Sequence, residues 1–398
     1  MHRHVLHMDL DSFFVSVERL YDSRLQGRPI LIGGTSDRGV VASCSYEARQ
    51  YGIRSAMPMR MARSLCPDAV VIRGNSAAYS KQSKLVTDII REQVPILEKA
   101  SIDEFYADLT GMDRFFGALK FSSELRQRVM RESGLPISFG LSANKTVSKV
   151  ATGEARHVEQ GGERFFLAPL SVRKIPMVGE KTYQTLRNLG VQSIGTLQEM
   201  PVDMLYSVFG KPGQTLWEKA QGVDESPVLA TQERKSISTE RTFDQDTTDV
   251  EKLQSILVAM VENLAFQLRR GHKLTSCVRI KIRYADFQTH SQQITLPYTA
   301  SDAILIPKAK ELFARLYDRR VRIRLIGVHL SGLVGGGEQY HLFESCDRND
   351  RLYAAMDHIR STYGDRAVVR ALGVGARTIG RSNPFNGEPP PLLANRRQ

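Results

Sequence analysis

Three acidic residues stand at the ends of two apolar runs that lie far apart in the chain. Asp9 follows the run at residues 5–8, and the adjacent pair Asp103 and Glu104 follows a second run almost a hundred residues later. If both runs are strands of one sheet, the three carboxylates meet at its edge. Carboxylates hold Mg²⁺ beside phosphate oxygens. The spacing therefore predicts a site for two-metal phosphoryl transfer.

Each group in this predicted site has a distinct role. We expect Asp9 and Asp103 to bridge two Mg²⁺ ions, Glu104 to be the ligand nearest the attacking hydroxyl, and the Leu10 carbonyl to add a further oxygen. An Asp-Glu pair taken alone is more often an exposed turn. Clustered carboxylates without a cation raise one another's pKa values, so the third carboxylate makes bound cations the better interpretation.

A second group of side chains suits a nucleotide. The Phe14 ring, just after the first acidic residues, would press on a sugar and exclude a 2′-hydroxyl. Tyr46 and Arg49 share one helical face, and Ser43 precedes them, so a guanidinium and hydroxyls can bind a triphosphate. Lys145 at a helix start adds a point charge and the positive end of a helix dipole. Singly each is more often an ordinary surface or core residue; together they predict a nucleotide site.

The elements that must position these residues alternate between strands and helices. Residues 5–8, 98–102, 105–109 and 137–142 predict strands, a hairpin is predicted between 29 and 43, and a long helix from about 77 to 94. This pattern favours one mixed α/β sheet. From about residue 168 the pattern changes to short helices around Gly179, which indicates a helix–hairpin–helix motif whose main-chain amides, with Lys181, can grip a DNA backbone phosphate.

A different pattern follows a linker around residues 224–232. Between 236 and 333 the order is strand, helix, two strands, helix and strand, a small two-layer βαββαβ domain. Two of these strands alternate apolar and basic residues, which gives one basic face. A solvated face explains one such strand, but two of the same sign favour a surface that tracks DNA phosphates. The basic residues are Arg279, Lys281, Arg283, Arg320, Arg322 and Arg324.

Composition excludes several other classes of protein. A chain of 398 residues with 41% hydrophobic residues supports several folded domains, and a net charge of +12 suits a polyanionic partner. The four cysteines lack Cys-x-x-Cys spacing, which argues against a zinc site and for a reducing compartment. No run approaches the roughly 18 apolar residues of a membrane span, and the N-terminus lacks a signal sequence. We expect a cytoplasmic monomer without membrane contact.

These motifs, in this order, resemble those of the Y-family translesion DNA polymerases of the DinB type. The matching segments are Asp9-x-Asp11-Ser12-Phe13-Phe14-x-x-Val17-Glu18, Tyr46-Glu47-Ala48-Arg49, Ser101-Ile102-Asp103-Glu104 and Ser142-x-Asn144-Lys145. The resemblance implies a multidomain α/β right-hand polymerase without proofreading, open enough to accept damaged templates. It implies a mixed-sheet palm at 1–19 and 78–165, small fingers at 20–77, a helical helix–hairpin–helix thumb at 166–230, and a little finger at 236–333.

The resemblance also has departures and an extension. Met177 stands in the thumb hairpin where the family often has glycine, and Phe105 where alanine is common. Residues 334–398 contain a candidate clamp-binding peptide similar to the Gln-x-x-Leu-Phe motif by which bacterial polymerases dock on the sliding clamp. Its contacts would be Gln339, Leu342 and Phe343, although a chance match to so short a motif is a real alternative.

Together these features predict a template-directed, low-fidelity translesion DNA polymerase. A primer 3′-hydroxyl would attack the α-phosphorus of a dNTP and release pyrophosphate, with primer-template DNA, dNTPs and the sliding clamp as partners. One rival is a non-catalytic polymerase-fold scaffold that binds DNA in a repair complex, which the intact acidic cluster and Lys145 oppose. Another is a nucleotidyl cyclase on a related palm, which the helix–hairpin–helix and βαββαβ patterns disfavour.

Overall fold

The computed structural model describes residues 3–36, 38–112, 117–154, 157–230, 233–336, 347–364, 367–374 and 376. These residues form two compact units, one ending before residue 233 and one beginning there. Among the helices of these ranges, none combines the length and the apolar character needed to cross a membrane.

The first unit contains two sheets surrounded by helices. Its described strands are β1 (Val5–Leu10), β2 (Ile30–Gly33), β3 (Val41–Cys44), β4 (Val70–Ile72), β5 (Ile96–Lys99), β6 (Glu104–Asp108) and β7 (Ile137–Ser142). Its described helices are α1 (Phe13–Tyr21), α2 (Tyr46–Gln50), α3 (Met59–Leu65), α4 (Ser76–Arg91), α5 (Ala118–Ser133), α6 (Lys145–Glu154), α7 (Glu163–Leu167), α8 (Glu180–Asn188), α9 (Ile194–Gln198), α10 (Val202–Phe209) and α11 (Lys211–Ala220).

The larger sheet has the strand order β5-β6-β1-β7, and the smaller has the order β3-β2-β4. The sequence predicted one mixed sheet, whereas all pairs in the larger sheet are antiparallel. The parallel pair of this unit, β2 with β4, lies in the smaller sheet. Parallel pairing requires a long crossover connection, and the segment between β2 and β4 supplies one through α2 and α3.

Helix α6 packs closely on the larger sheet at Gly140. A Cβ atom at this position would lie 2.2 Å from the carbonyl oxygen of Ser148 and 2.4 Å from the nitrogen of Thr152, so only glycine admits the helix here. The Ser148 hydroxyl also donates to the Val5 carbonyl at 2.7 Å. These contacts place α6 at a fixed height over β1 and β7.

The helical part of the first unit packs around an apolar core that includes Leu186, Leu197 and Leu205 and extends to Val147 of α6. Its hairpin before α8 holds Met177 at a φ of 91°, in the left-handed region, with the side chain exposed. A residue with a Cβ is strained in this conformation. Glycine, which the family often has at position 177, would therefore relieve backbone strain there.

The second unit is a βαββαβ domain followed by a further helix. Its described elements are β8 (Ser236–Thr247), α12 (Val250–Arg270), β9 (Lys273–Tyr284), β10 (Thr289–Thr299), α13 (Asp302–Leu316), β11 (Ile323–Ser331), β12 (Val334–Gly335) and α14 (Asp347–Tyr363). The antiparallel sheet has the order β10-β9-β11-β8. Apolar residues of α12 and α13 pack on the inner side chains of this sheet, among them Val278 and Ile280.

Helix α14 docks on the two helices of this domain through buried charges. Arg269 of α12 contacts Asp302 at 2.9 Å and Asp357 of α14 at 2.6 Å. Arg360 of α14 is 2% exposed and lies 3.5 Å from the buried Glu262. Charged groups removed from water are tolerated when opposite charges accompany them. Helix α14 is therefore part of the folded second unit.

We expect Arg360→Met to destabilise the second unit, because it removes one of the two guanidiniums beside the buried Glu262 and leaves Arg370, at 3.3 Å, as the other. Breaking a buried pair costs roughly 3 to 5 kcal/mol, and the remaining guanidinium should keep the loss at the lower end of this range. Denaturant unfolding of the full chain measures the effect. Lys308→Met is the matched control, since its pair with Glu311 is half-exposed and should contribute less than about 1 kcal/mol. Equal losses in the two variants would contradict a structural role for the α14 charges.

Candidate active site

The two distant acidic segments meet where β1 and β6 pair. Asp9 and Glu104 are directly opposite each other in this antiparallel pair. The Leu10 N–H donates to the Asp103 carbonyl at 3.0 Å, which joins the next residues of both segments. The register therefore brings the three predicted carboxylates to one end of two adjacent strands, with Leu10 at the end of β1.

The turn before β6 is built around Ser101, which sequence reasoning did not single out. Its hydroxyl accepts the N–H groups of Asp103 at 3.1 Å and Glu104 at 3.0 Å, and donates to the Asp103 carboxylate. A local side-chain acceptor of this kind competes with strand pairing. The predicted strand at 98–102 accordingly ends at Lys99, and the turn gives the two acids a fixed backbone position.

The carboxylates of the acidic cluster repel one another. Burial, and after it the charges of Glu104 and Asp103, raise the pKa of Asp9 to about 8. Burial and the Glu104 charge also raise the pKa of Asp103, against the Ser101 hydrogen bond that lowers it. Without a cation, the protonated form of Asp9 is therefore favoured at neutral pH. A divalent cation would reverse this preference, because opposite charge favours the ionised form.

The lysine that reaches the acidic cluster is Lys149. Its Nζ lies 2.6 Å from each carboxylate oxygen of Glu104. The predicted Lys145 lies one turn earlier on α6, where it donates to Glu98 at 2.5 Å and sits 5.3 Å from the centre of the Tyr106 ring. The structure therefore does not bring Lys145 to the carboxylates, and its assignment to a triphosphate stays a prediction.

The donor set fits hard divalent cations, although its side chains are engaged elsewhere. Within the described ranges, no three His, Cys, Asp or Glu side chains are already arranged to hold a metal ion. Glu104 is turned to Lys149, and Asp103 accepts the Ser101 hydroxyl. The Ser138 hydroxyl donates to Asp11 at 2.8 Å. Burial and neighbouring acids disfavour ionisation of Asp9 and Asp103, and a bound divalent cation held by these carboxylates and Glu104 would favour it.

The ring of Phe14 is held against a second aromatic residue. It stacks on Tyr79 of α4 with ring centroids 4.4 Å apart and an interplanar angle of 18°. The Tyr79 hydroxyl donates to Glu18 at 2.5 Å, and Tyr79 is almost fully buried. Phe13 is a core residue, as predicted. Phe14 is half-buried, and Tyr79 supports its ring, as a steric role against a sugar requires. The spacing of residues in the sequence had not indicated Tyr79.

The predicted triphosphate residues lie on and before α2. The Arg49 guanidinium is 4.7 Å from the centre of the Tyr46 ring and donates to the Ser12 hydroxyl at 3.2 Å. Ser43 lies in β3 opposite Ile32. The contact with Ser12 ties the α2 residues to the turn that follows the first carboxylate. Tyr46 and Arg49 share a face of a helical turn, as their spacing predicted.

The predicted DNA-binding residues of the second unit are only partly on strands. Arg279, Lys281 and Arg283 alternate along β9 with buried residues, and Lys281 is paired with Glu240 at 3.0 Å. That carboxylate reduces the positive charge of the face. Arg320 and Arg322 precede β11 and do not lie on it, so the predicted alternation of basic residues along this strand is wrong for these two.

The remaining predicted binding residues have different settings. Arg324 lies 4.6 Å from the centre of the Phe287 ring. Gly179 directly precedes α8, and Lys181 is the second residue of that helix. The candidate clamp residues Gln339, Leu342 and Phe343 lie outside the described residues.

Comparison with known proteins identifies the family. Residues 8–153 match the model of the impB/mucB/samB family, 234–342 its C-terminal domain, and 173–224 the thumb domain of DNA polymerase-iota. A DNA polymerase IV from Dehalococcoides mccartyi is 37% identical over 92% of this chain and 96% of its own length. Another, from Halorhodospira halophila, is 34% identical over 86% of this chain and 99% of its own length. The chain belongs to the Y-family translesion DNA polymerases, of the DNA polymerase IV type.

Solved structures support the right-hand polymerase fold. The Y-family DNA polymerase chimera Dbh-Dpo4(243-245)-Dbh has a TM-score of 0.75 and 23% identity, covering 84% of this chain and 100% of the chimera. DinB from Sulfolobus solfataricus has a TM-score of 0.58 at the same identity and coverage. Family membership makes this protein a DNA-directed DNA polymerase that depends on a divalent metal.

We expect Asp9→Asn to stabilise the metal-free polymerase increasingly as the pH rises. The pKa of Asp9 is raised to about 8, so the protonated acid stabilises the fold below pH 4 and this contribution is lost as the pH rises through 8. Asparagine does not titrate and has no such loss. In thermal unfolding with EDTA, the Tm of Asp9→Asn should therefore exceed that of the unsubstituted chain by a margin that widens from pH 5 to pH 9. Asp68→Asn, at an exposed site, should show no widening; a constant gap for Asp9→Asn would contradict the buried cluster.

Proposed function

We propose that the acidic cluster is the catalytic centre for template-directed primer extension with two Mg²⁺ ions. Asp9 and Asp103 would hold both ions, with the Leu10 carbonyl as a further ligand and Glu104 nearest the primer hydroxyl. When bound, the ions activate the 3′-hydroxyl and neutralise charge on the phosphorus oxygens. The observation that carries this proposal is the register of β1 and β6, which sets Asp9 opposite Glu104.

The chain's own residues then position the dNTP. Arg49 and Tyr46 would bind the triphosphate, together with Ser43 and Lys145, and their charges and hydroxyls stabilise the pyrophosphate that leaves. Phe14, stacked on Tyr79, would lie against the sugar where a 2′-hydroxyl projects. Positioning and electrostatics account for the chemistry, since phosphoryl transfer needs little else from the protein.

DNA binding is assigned to both units. Amides around Gly179 with Lys181 would contact one backbone phosphate, and the basic strand face another run of phosphates. Residues 339–343 would dock on the sliding clamp. We propose the palm, fingers, thumb and little finger boundaries given above for a monomeric enzyme in the cytoplasm.

The buried acids argue against a scaffold that only binds DNA. Burial and neighbouring acids raise the pKa values of Asp9 and Asp103, which costs folding stability in the metal-free protein, and negative charge repels DNA phosphates. A DNA-binding scaffold gains nothing from such a cluster. A metal-dependent polymerase requires it.

Asp103→Ala and Glu104→Ala should each abolish primer extension. Losing a ligand that orients the reacting groups removes several kcal/mol of transition-state stabilisation, which corresponds to roughly a thousandfold or more in rate. Single-turnover extension on an intact template measures this, and fluorescence anisotropy checks that duplex binding stays within about twofold. Asp88→Ala, which removes an exposed acid of α4, is the control. Undiminished synthesis by either active-site variant would refute the site.

Phe14→Ala should admit ribonucleotides. Removing the ring opens the space beside the 2′-carbon, so the ratio of kcat/KM for a dNTP to that for the matching rNTP should fall by about tenfold or more. Single-nucleotide incorporation with each sugar measures the ratio. Phe165→Ala, at an aromatic residue 81% exposed on α7, should leave it unchanged. Unchanged sugar discrimination in Phe14→Ala would count against the steric role.

A further inference from the structure

Lys149 occupies the acidic cluster as a cation would. Its ammonium is equidistant from both oxygens of Glu104, at 2.6 Å from each, which is closer than an ordinary surface ion pair requires. The pair is mostly shielded from water, with side-chain exposures of 31% and 21%. Neither the predicted ligand set nor the predicted triphosphate residues include this lysine.

The position of this ammonium is set by backbone packing. Lys149 lies on α6, directly after Ser148, whose carbonyl oxygen meets the sheet at Gly140. The Ser148 hydroxyl is bonded to the Val5 carbonyl on β1, the strand that carries Asp9. Because the helix cannot rise or slide without breaking these contacts, the lysine is presented to the acidic end of the strands in a defined place.

The charge of Lys149 acts on the whole cluster. It lowers the pKa values of Asp9 and Asp103, opposite to the effects of burial and of the neighbouring acids. One ammonium among three carboxylates compensates only part of their charge. The cluster therefore keeps an attraction for cations while one of its ligands is already occupied.

We propose that Lys149 is a built-in counter-ion of Glu104 that a divalent cation must displace, so that it sets the cation affinity of the polymerase. Metal binding is then an exchange of one cation for another. The site binds ions weakly by itself, and it binds them well when the triphosphate and primer supply further oxygen ligands. Lys149 is a positioning residue that acts through Glu104, and this role rests on the proposed function of the cluster.

The test is Mn²⁺ binding by the full chain without DNA or nucleotide, followed by electron paramagnetic resonance. Lys149→Met keeps the length of the side chain and removes its charge, so Mn²⁺ should bind about tenfold tighter or more. Lys149→Arg keeps the charge and should bind within about threefold of the unsubstituted chain. Lys174→Met is the matched control, because Lys174 pairs at 2.6 Å with Glu154, an acid at the end of helix α6. This variant should leave the Mn²⁺ affinity unchanged.

The Mg²⁺ dependence of thermal unfolding gives a second readout. The midpoint of the Mg²⁺-induced stabilisation should shift to about tenfold lower concentration in Lys149→Met, a change that a merely structural lysine would not produce. Unchanged or weaker Mn²⁺ binding in Lys149→Met, with primer extension by the unsubstituted chain intact, would overturn this inference alone. An unsubstituted chain that neither binds Mn²⁺ nor extends a primer would overturn the proposed function as well.

Discussion

The pairing of β1 with β6 is the constraint on which the active site depends. A shift of one residue in an antiparallel pair turns every side chain to the opposite face. Here such a shift would separate Asp9 from Glu104 and bury a carboxylate among the core residues Met8 and Phe105. The apolar residues on the core face therefore hold the acids in place, although they take no part in chemistry.

The charges that form the active site also destabilise the end of the sheet that carries them. Asp9 and Asp103 are buried beside another acid, and Lys149 compensates only part of their charge. Helix α6 supplies an opposing stabilisation, since its close approach at Gly140 and the Ser148 hydrogen bond to Val5 join it to β7 and β1 of the same sheet.

Local patterns in the sequence predicted the secondary-structure elements more accurately than they predicted the contacts between side chains. Strand β7 was predicted at residues 137–142, where it lies, and the acidic pair was expected beside Asp9. Ser101, Tyr79 and Lys149 could not be predicted, because their roles depend on a hydrogen bond within a turn, a ring from a distant helix and a helix height set by glycine. Spacing identifies a helical face, but tertiary packing decides which residue of that face reaches the carboxylates, and here Lys149 contacts Glu104 while Lys145 contacts Glu98.

The second unit contains buried acids as well, and their partners show why these acids have a different role. Asp302 is fully buried beside Arg269, and Glu262 has both Arg360 and Arg370 within 3.5 Å. Each acid there has at least one guanidinium, the cation best suited to a buried carboxylate. The cluster around Asp9 has a single ammonium for three acids. Complete compensation indicates charges that join helices, whereas incomplete compensation leaves a site that attracts cations from solution.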